Sequence, residues 1–339
     1  MKLLLFVTKP YSFSILKPVE NAAVLSGHIV RWFTAASAKN IETPGEMILT
    51  NREVEAFNPD AVIVPGNVVP DFWPGLKVQI FHGLGEEKRG HYRITNFFDL
   101  YCTPGPYLTN KFNVLSKKHQ TFLVEETGWP KMDQLKTNNQ IDRKMKLGFS
   151  KDEKVVLYAP TFSPRYTSAE ALFSEIRELV HQKDYRWLIK FHPLMDQKWQ
   201  NQYRAIAGER LIIVNNNDII PSMEASDLLI TDTSSVAYEY LLLDRPIITY
   251  KAISRKEKGI DINDPQQLGL SIQRSLKDRS EFHDQRQKYL NELHPYTDGH
   301  SANRTIEAIE KMIKSGDLKS LKMKKPNWFL KQQIRKLLS

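Results

Sequence analysis

The chain has 339 residues, a single cysteine (Cys102) and a formal net charge of +9. That length suits two domains with a core in each, and one cysteine excludes a disulfide framework and a cysteine-based metal cluster. The charge is uneven: Leu318 to Ser339 holds Lys319, Lys322, Lys324, Lys325, Lys331, Arg335 and Lys336 with no acid, so the basic balance speaks about location rather than chemistry.

Met1-Lys2 followed by Leu3 to Val7 has the outline of a signal peptide, but the apolar run stops at Thr8-Lys9-Pro10 without a small-residue cleavage site. It reads as the first core strand. No stretch approaches the ~18 consecutive apolar residues of a spanning helix. Further strands are predicted at His28–Ala35, Ala61–Pro65, Val78–Phe81, Leu100–Thr103 and Thr121–Glu125, spaced for crossover helices. This is a Rossmann-like half. The polar, turn-rich run Thr127 to Gln140 suits a linker.

A second series follows at Val155–Tyr158, Trp187–Phe191, Leu211–Val214, Leu228–Thr231 and Ile247–Tyr250, with helical patterns at 168–181, 196–207 and 234–243. Helices are expected again at Pro265–Lys277, Ser280–Leu293 and Ser301–Lys314. The predicted fold class is α/β of GT-B type: two doubly wound Rossmann-like domains facing a cleft, followed by a basic amphipathic helix. The boundaries fall at 1–140, 141–300 and 301–339.

The most informative stretch runs from Leu228 to Tyr250, as strand, hydroxyl-rich turn, helix and strand. Thr231, Asp232, Thr233, Ser234 and Ser235 would stand at the carboxyl edge of a parallel sheet, where open α/β folds bind ligands. A helix beginning at Ser234 would offer N–H groups and a partial positive charge to a phosphate, with Glu239 placed to accept from a ribose hydroxyl. Simple capping by Ser234 and a solvated Glu239 is the competing reading.

His82 follows a predicted strand, with Gly83 and Gly85 clearing space beside it, a placement suited to a general base; an ordinary histidine at a sheet rim fits equally. His192, after Lys190-Phe191 and before Pro193, repeats the placement in the second half. The two would face each other across the cleft, His192 donating to a phosphate oxygen. Thr161, Ser163 and Arg165 follow a third strand end and, with Lys190, are expected to line the same crevice, as donor-binding residues. Ser301 and Arg304 follow a glycine turn, where a capped helix start is the stronger reading. No Asp-x-Asp, His-Glu-x-x-His or Walker loop occurs, so no metal and no cofactor is expected.

After Pro326, Leu330, Ile334, Leu337 and Leu338 share one helical face, with Trp328 and Phe329 at its start. Basic, amphipathic and aromatic together, this suits an anionic bilayer surface; a helix docked on its own domain and an RNA-binding arm compete. The body shows no basic, aromatic-interleaved face, so nucleic acid is not an expected partner.

Taken together, His82-Gly83, Gly128 to Asp133, Tyr158 to Thr161, His192-Pro193, Thr231 to Ser235 and Asp298 to Ser301 resemble the CDP-glycerol glycerophosphotransferase family of teichoic-acid primases and polymerases. The resemblance covers about residues 75 to 315. It implies a GT-B fold, CDP-glycerol as donor, CMP as product and a lipid-linked or polymeric acceptor, at the cytoplasmic face of the plasma membrane. It implies His82 as catalytic base, His192 facing the donor pyrophosphate, and Thr231 to Ser235 as the phosphate and ribose site. Lys88 aligns with a family lysine although Leu84 to Glu87 depart from the usual Thr-Pro-Leu, Arg165 is displaced, and His300 stands where lysine is common. These changes bear on donor and acceptor identity. The alternatives are a GT-B transferase using CDP-ribitol or a nucleotide-sugar, an epimerase of similar fold, and a non-catalytic membrane-surface binding protein.

Overall fold

The computed structural model describes residues 1–35, 38, 45–85, 92, 94–181, 185–216, 218–325, 331, 332, 334 and 338. The chain forms two compact units, Met1–Gln134 with Asn291–Ser339, and Leu135–Leu290.

The first unit carries β1 (Lys2–Val7), α1 (Ser12–Leu25), β2 (Ile29–Thr34), α2 (Asn51–Phe57), β3 (Ala61–Val64), β4 (Leu76–Gln79), β5 (Leu100–Thr103), α3 (Pro106–His119) and β6 (Leu123–Glu126). The strands form one parallel sheet in the order β2-β1-β3-β4-β5-β6. Every residue of β3, β4 and β5 is buried, as expected of strands covered on both faces. Helix boundaries follow local chemistry. Thr50 caps α2 through a reciprocal box with Glu53, and Pro106 opens α3, which ends at a left-handed Gln120 behind Lys117, Lys118 and His119.

The second unit contains α4 (Gln140–Lys146), β7 (Lys154–Tyr158), α5 (Phe173–Leu179), β8 (Tyr185–Ile189), α6 (Gln197–Ala205), β9 (Leu211–Ile213), α7 (Ile220–Ala225), β10 (Leu228–Thr231), α8 (Val236–Tyr240), β11 (Ile247–Tyr250), β12 (Ile260–Ile262), α9 (Leu268–Lys277) and the start of α10 (His283–Leu293). Its parallel sheet runs β12-β11-β10-β7-β8-β9. Counted from β7, this is the 3-2-1-4-5-6 order of dinucleotide-binding folds. The order reverses between β7 and β10, and folds of this order bind ligands at the carboxyl ends of such a pair.

The chain then returns to the first unit. There α11 (Ser301–Ser315) packs on α1 and on the 3-10 turn Pro130–Gln134. The changes of unit thus fall at 134/135 and 290/291, where the sequence placed them at 140/141 and 300/301. The reason lies in the run read as a linker: Trp129 and Met132 are buried, and the segment belongs to the first core until Gln134. Beyond α11, Lys322 N–H donates to Gln120 O at 2.7 Å, Lys324 pairs with Asp99, and Lys331 pairs with Asp71 at 2.9 Å. Ile334 is 2% exposed within the first unit's core, with Leu338 packed beside it. Trp328, Phe329, Leu330 and Leu337 lie outside the described residues. Of the predicted apolar face, the two described members rest on the protein itself.

Candidate functional site

In the second unit the site is built where β7 and β10 end. Asp232, first after β10, is 1% exposed and accepts from Thr161 N–H (2.9 Å), Ser168 N–H (2.8 Å) and Ser168 O–H (2.8 Å). Tyr158 Oη lies 2.9 Å from the same Ser168 Oγ. These bonds bind the loop after β7 to the end of β10; α5 begins at Phe173, five residues later than predicted. Burial raises the Asp232 carboxyl to about 6, against the pull of the amides it accepts from. Thr231 is fully buried and donates to Ala159 O at 2.6 Å. It serves the junction of the two strands rather than its surface.

Thr233, Ser234 and Ser235 are half-buried. The helix starts two residues later than predicted, at Val236, and Ser235 stands at its N-cap position without a side-chain capping bond. It is only five residues long before a 3-10 turn, Leu241–Leu243, so hydroxyls rather than a long helix dipole are its main offering to an anion. Glu239 is buried, not a solvated face residue.

β8 stops at Ile189, so two residues separate it from His192. The imidazole stacks on Phe162 with centroids 4.3 Å apart and planes at 27°. Its Nδ1 accepts from Leu194 N–H at 3.1 Å, which in the neutral ring puts the proton on Nε2. Lys190 is buried and donates to Phe191 O at 3.1 Å. Thr161 is also buried, Ser163 half-buried, and Arg165 exposed with its guanidinium over Tyr166 at 5.4 Å. The structure brings Thr161, His192 and Asp232 together through Phe162 and the loop after β7, while Arg165 points to the surface end of that loop.

In the first unit β4 ends at Gln79, three residues before His82. Phe81, between them, is 1% exposed with φ of +57°, a left-handed conformation costing an aromatic residue roughly 1–2 kcal/mol. Its ring is set edge-on against Phe112 at 5.1 Å, and its carbonyl accepts from Trp129 Nε1–H at 3.2 Å. His82 is half-buried beside Tyr11, ring centroids 6.0 Å apart, and Gly83 is buried. Burial raises the Tyr11 phenol above its usual range. Lys88 lies outside the described residues.

Ser301 and Arg304 are engaged internally. Ser301 is fully buried, and its N–H donates to Asp133 Oδ1 at 3.0 Å; Ala302 N–H donates to Oδ2 at 2.7 Å. Arg304 forms a two-pronged pair with Asp298 at 2.8 and 3.0 Å and donates to Thr127 O at 3.0 Å. The capped helix start is therefore what these residues build, with the cap coming from Asp133 instead of Ser301. Gly128, at φ +81°, permits it, since a Cβ there would lie 2.4 Å from Ser301 Oγ. Sequence reasoning missed Asp133, Trp129, Ser168 and His294; only Trp129 and Asp133 carried a signal, as members of the Gly128 to Asp133 motif.

Two parallel α/β units, one with a Rossmann strand order and a hydroxyl- and histidine-bearing switch point, have the make-up of a GT-B fold. Residues 81–311 match the model of the CDP-Glycerol:Poly(glycerophosphate) glycerophosphotransferase family, and the chain belongs to that family. It is 30% identical over 175 residues to a teichoic acid poly(glycerol phosphate) polymerase of Bacillus spizizenii, covering 48% of this chain and 43% of that one. The chain thus spans less than half the length of that relative. Among solved structures, a variant of the wall teichoic acid polymerase TagF superposes with a TM-score of 0.70 at 19% identity, covering 93% of this chain and 89% of that one. UDP-GlcNAc 2-epimerase from Neisseria meningitidis does so at 0.64 and 15%, covering 92% and 100%.

Proposed function

We propose that the chain transfers glycerol phosphate from CDP-glycerol to the hydroxyl of a membrane-associated acceptor, releasing CMP, in the synthesis of a teichoic-acid-like envelope polymer. The observation that carries this reading is the family match from residue 81 to 311, which includes the His82 loop and the β7/β10 switch point. The acceptor oxygen attacks the phosphorus that bears glycerol, and the bond from that phosphorus to the CMP oxygen breaks. His82 takes the acceptor proton. His192 Nε2–H and the hydroxyls of Thr233, Ser234 and Ser235 hold the donor phosphates and meet the charge that develops on CMP. Asp232 holds the loop after β7 in place for them.

We also propose a peripheral position at the cytoplasmic face of the plasma membrane. The exposed Lys319, Lys322 and Lys325 support it by charge, since Ile334 is buried in the protein. The test is CMP release from CDP-glycerol, with CDP-ribitol and UDP-sugars in parallel, each with and without a membrane extract. Acceptor-dependent release from CDP-glycerol alone is expected, and His82→Ala should lower it by roughly 10²–10⁴-fold, to a residual rate that can still be measured, while folding normally. Release from a UDP-sugar without acceptor would overturn the reading in favour of an epimerase.

A further inference from the structure

Between the end of β4 and His82 the backbone reverses at Phe81, and both sides of that reversal are held. On one side the Phe81 ring is locked in the core by Phe112 (5.1 Å) and Tyr101 (6.2 Å). On the other the Phe81 carbonyl accepts from the indole N–H of Trp129. Trp129 is 1% exposed and is itself pinned, because its backbone N–H donates to Nε2 of the fully buried His294 at 2.9 Å. Gly128 brings this segment against Ser301 and Tyr296. The direction in which His82 leaves the chain is thus set by the packed Phe81 ring and by one indole hydrogen bond, the latter anchored on a residue 165 positions beyond Trp129.

We infer that Trp129 is a positioning residue for His82: its Nε1–H holds the Phe81 carbonyl in the left-handed turn that aims the imidazole, and His294 keeps the indole in register. This rests on the reading of His82 as the base. A buried tryptophan that only filled space would need no donor aimed at a strained carbonyl beside that histidine. A geometric misplacement of a base lowers turnover more than it lowers substrate affinity. Replacing the indole N–H should therefore lower kcat and leave KM for CDP-glycerol unchanged.

The experiment is a double-mutant cycle in the full chain, read by CMP release with CDP-glycerol and a membrane extract. Trp129→Phe should lower kcat at least tenfold, leave KM within twofold, and shift the acidic limb of the kcat–pH profile. In the His82→Ala background the same change should cause no further loss, because its effect passes through His82. Should Trp129→Phe fold poorly, incorporation of 3-benzothienylalanine at 129 keeps the ring shape and removes only the N–H, with the same outcome expected. His294→Gln, which retains an acceptor for the Trp129 N–H, should restore most of the turnover lost in His294→Leu. Equal losses from the 129 change in both backgrounds, or an unchanged kcat, would overturn the inference while leaving His82 as base. Full activity of His82→Ala would instead remove the reading beneath it.

Discussion

Asp133 caps α11 from 168 residues away, accepting Ser301 N–H at 3.0 Å on one carboxylate oxygen and Ala302 N–H at 2.7 Å on the other. His300, at the N-cap position, makes no side-chain capping bond, so the first turn of the longest helix depends on a residue of another segment. Asp133→Ala should cost about 1–2 kcal/mol, the usual loss for an N-cap, and lower the melting temperature by several degrees. Asp133→Asn should cost less, since burial already holds this carboxyl above its usual range and the amide oxygen can still accept one N–H. Thermal melts followed by circular dichroism at pH 7 check both.

The acid response of the two units should differ in sign. Burial lowers His294 to about 4 from an ordinary 6.5. The folded first unit therefore favours its neutral form, and that stability is present above pH 6.5 and lost as pH falls through 4, by roughly 3 kcal/mol. Asp232 in the second unit is raised to about 6 from 3.8. Its contribution runs the other way: it is fully present below pH 3.8 and lost as pH rises through 6. Hydrogen exchange at pH 7 and pH 5 separates them. Peptides around Trp129 and His294 should lose protection at pH 5, and those spanning Thr161 to Ser168 should not.

His192 should act on donor binding. Its Nδ1 accepts from the Leu194 N–H and its face stacks on Phe162, so in the neutral ring Nε2 carries the proton that a phosphate oxygen would accept. His192→Gln keeps an N–H but loses the ability to carry charge, and should raise KM for CDP-glycerol about tenfold, near 1.4 kcal/mol. His192→Ala should raise it further. Steady-state CMP release at varied donor concentration measures both, and an unchanged KM in His192→Ala would take His192 out of the donor site.

Most of the strands were legible because parallel strands covered on both faces are written as continuous apolar runs, as in Ala61 to Val64 and Leu228 to Thr231. β12 was not: Asp261 interrupts Ile260 and Ile262, whereas the equally short β9, Leu211 to Ile213, is an unbroken apolar run. At the site, sequence reported residue types but not burial: Thr231 and Thr233 look alike in the run, yet only Thr233 is partly exposed. The segment Trp129 to Asp133 read as a linker because its partners, His294, Ser301 and Ala302, are more than 160 positions away. Local periodicity carries no record of such partners.

The two aspartates at the ends of β10 make the sharpest test of which edge of the sheet is functional. Asp227, at the amino end, accepts from Lys144 Nζ (2.7 Å), Val155 N–H (2.9 Å), Gln140 Nε2 (3.1 Å) and Arg279 Nη2 (2.5 Å). Burial pushes its carboxyl up, but these partners outweigh burial and hold it below the usual range, the sign of a group that stabilises the fold. Asp232, at the carboxyl end, has amide and hydroxyl partners; no cation is paired with it among the described residues, and it lies above the usual range, the condition common where a site is built at a cost in stability. Lys144→Met removes one partner of a buried pair, a loss of 3–5 kcal/mol when complete; with Arg279 remaining, about 2–3 kcal/mol is expected, and KM for CDP-glycerol should not change. Asp232→Ala should cost less stability, because a buried charge is removed along with the bonds, yet raise that KM tenfold or more by releasing the loop from Thr161 to Ser168. Chemical denaturation and donor KM measured on both variants decide it. A large KM effect from Lys144→Met with none from Asp232→Ala would put the donor site at the other end of the sheet.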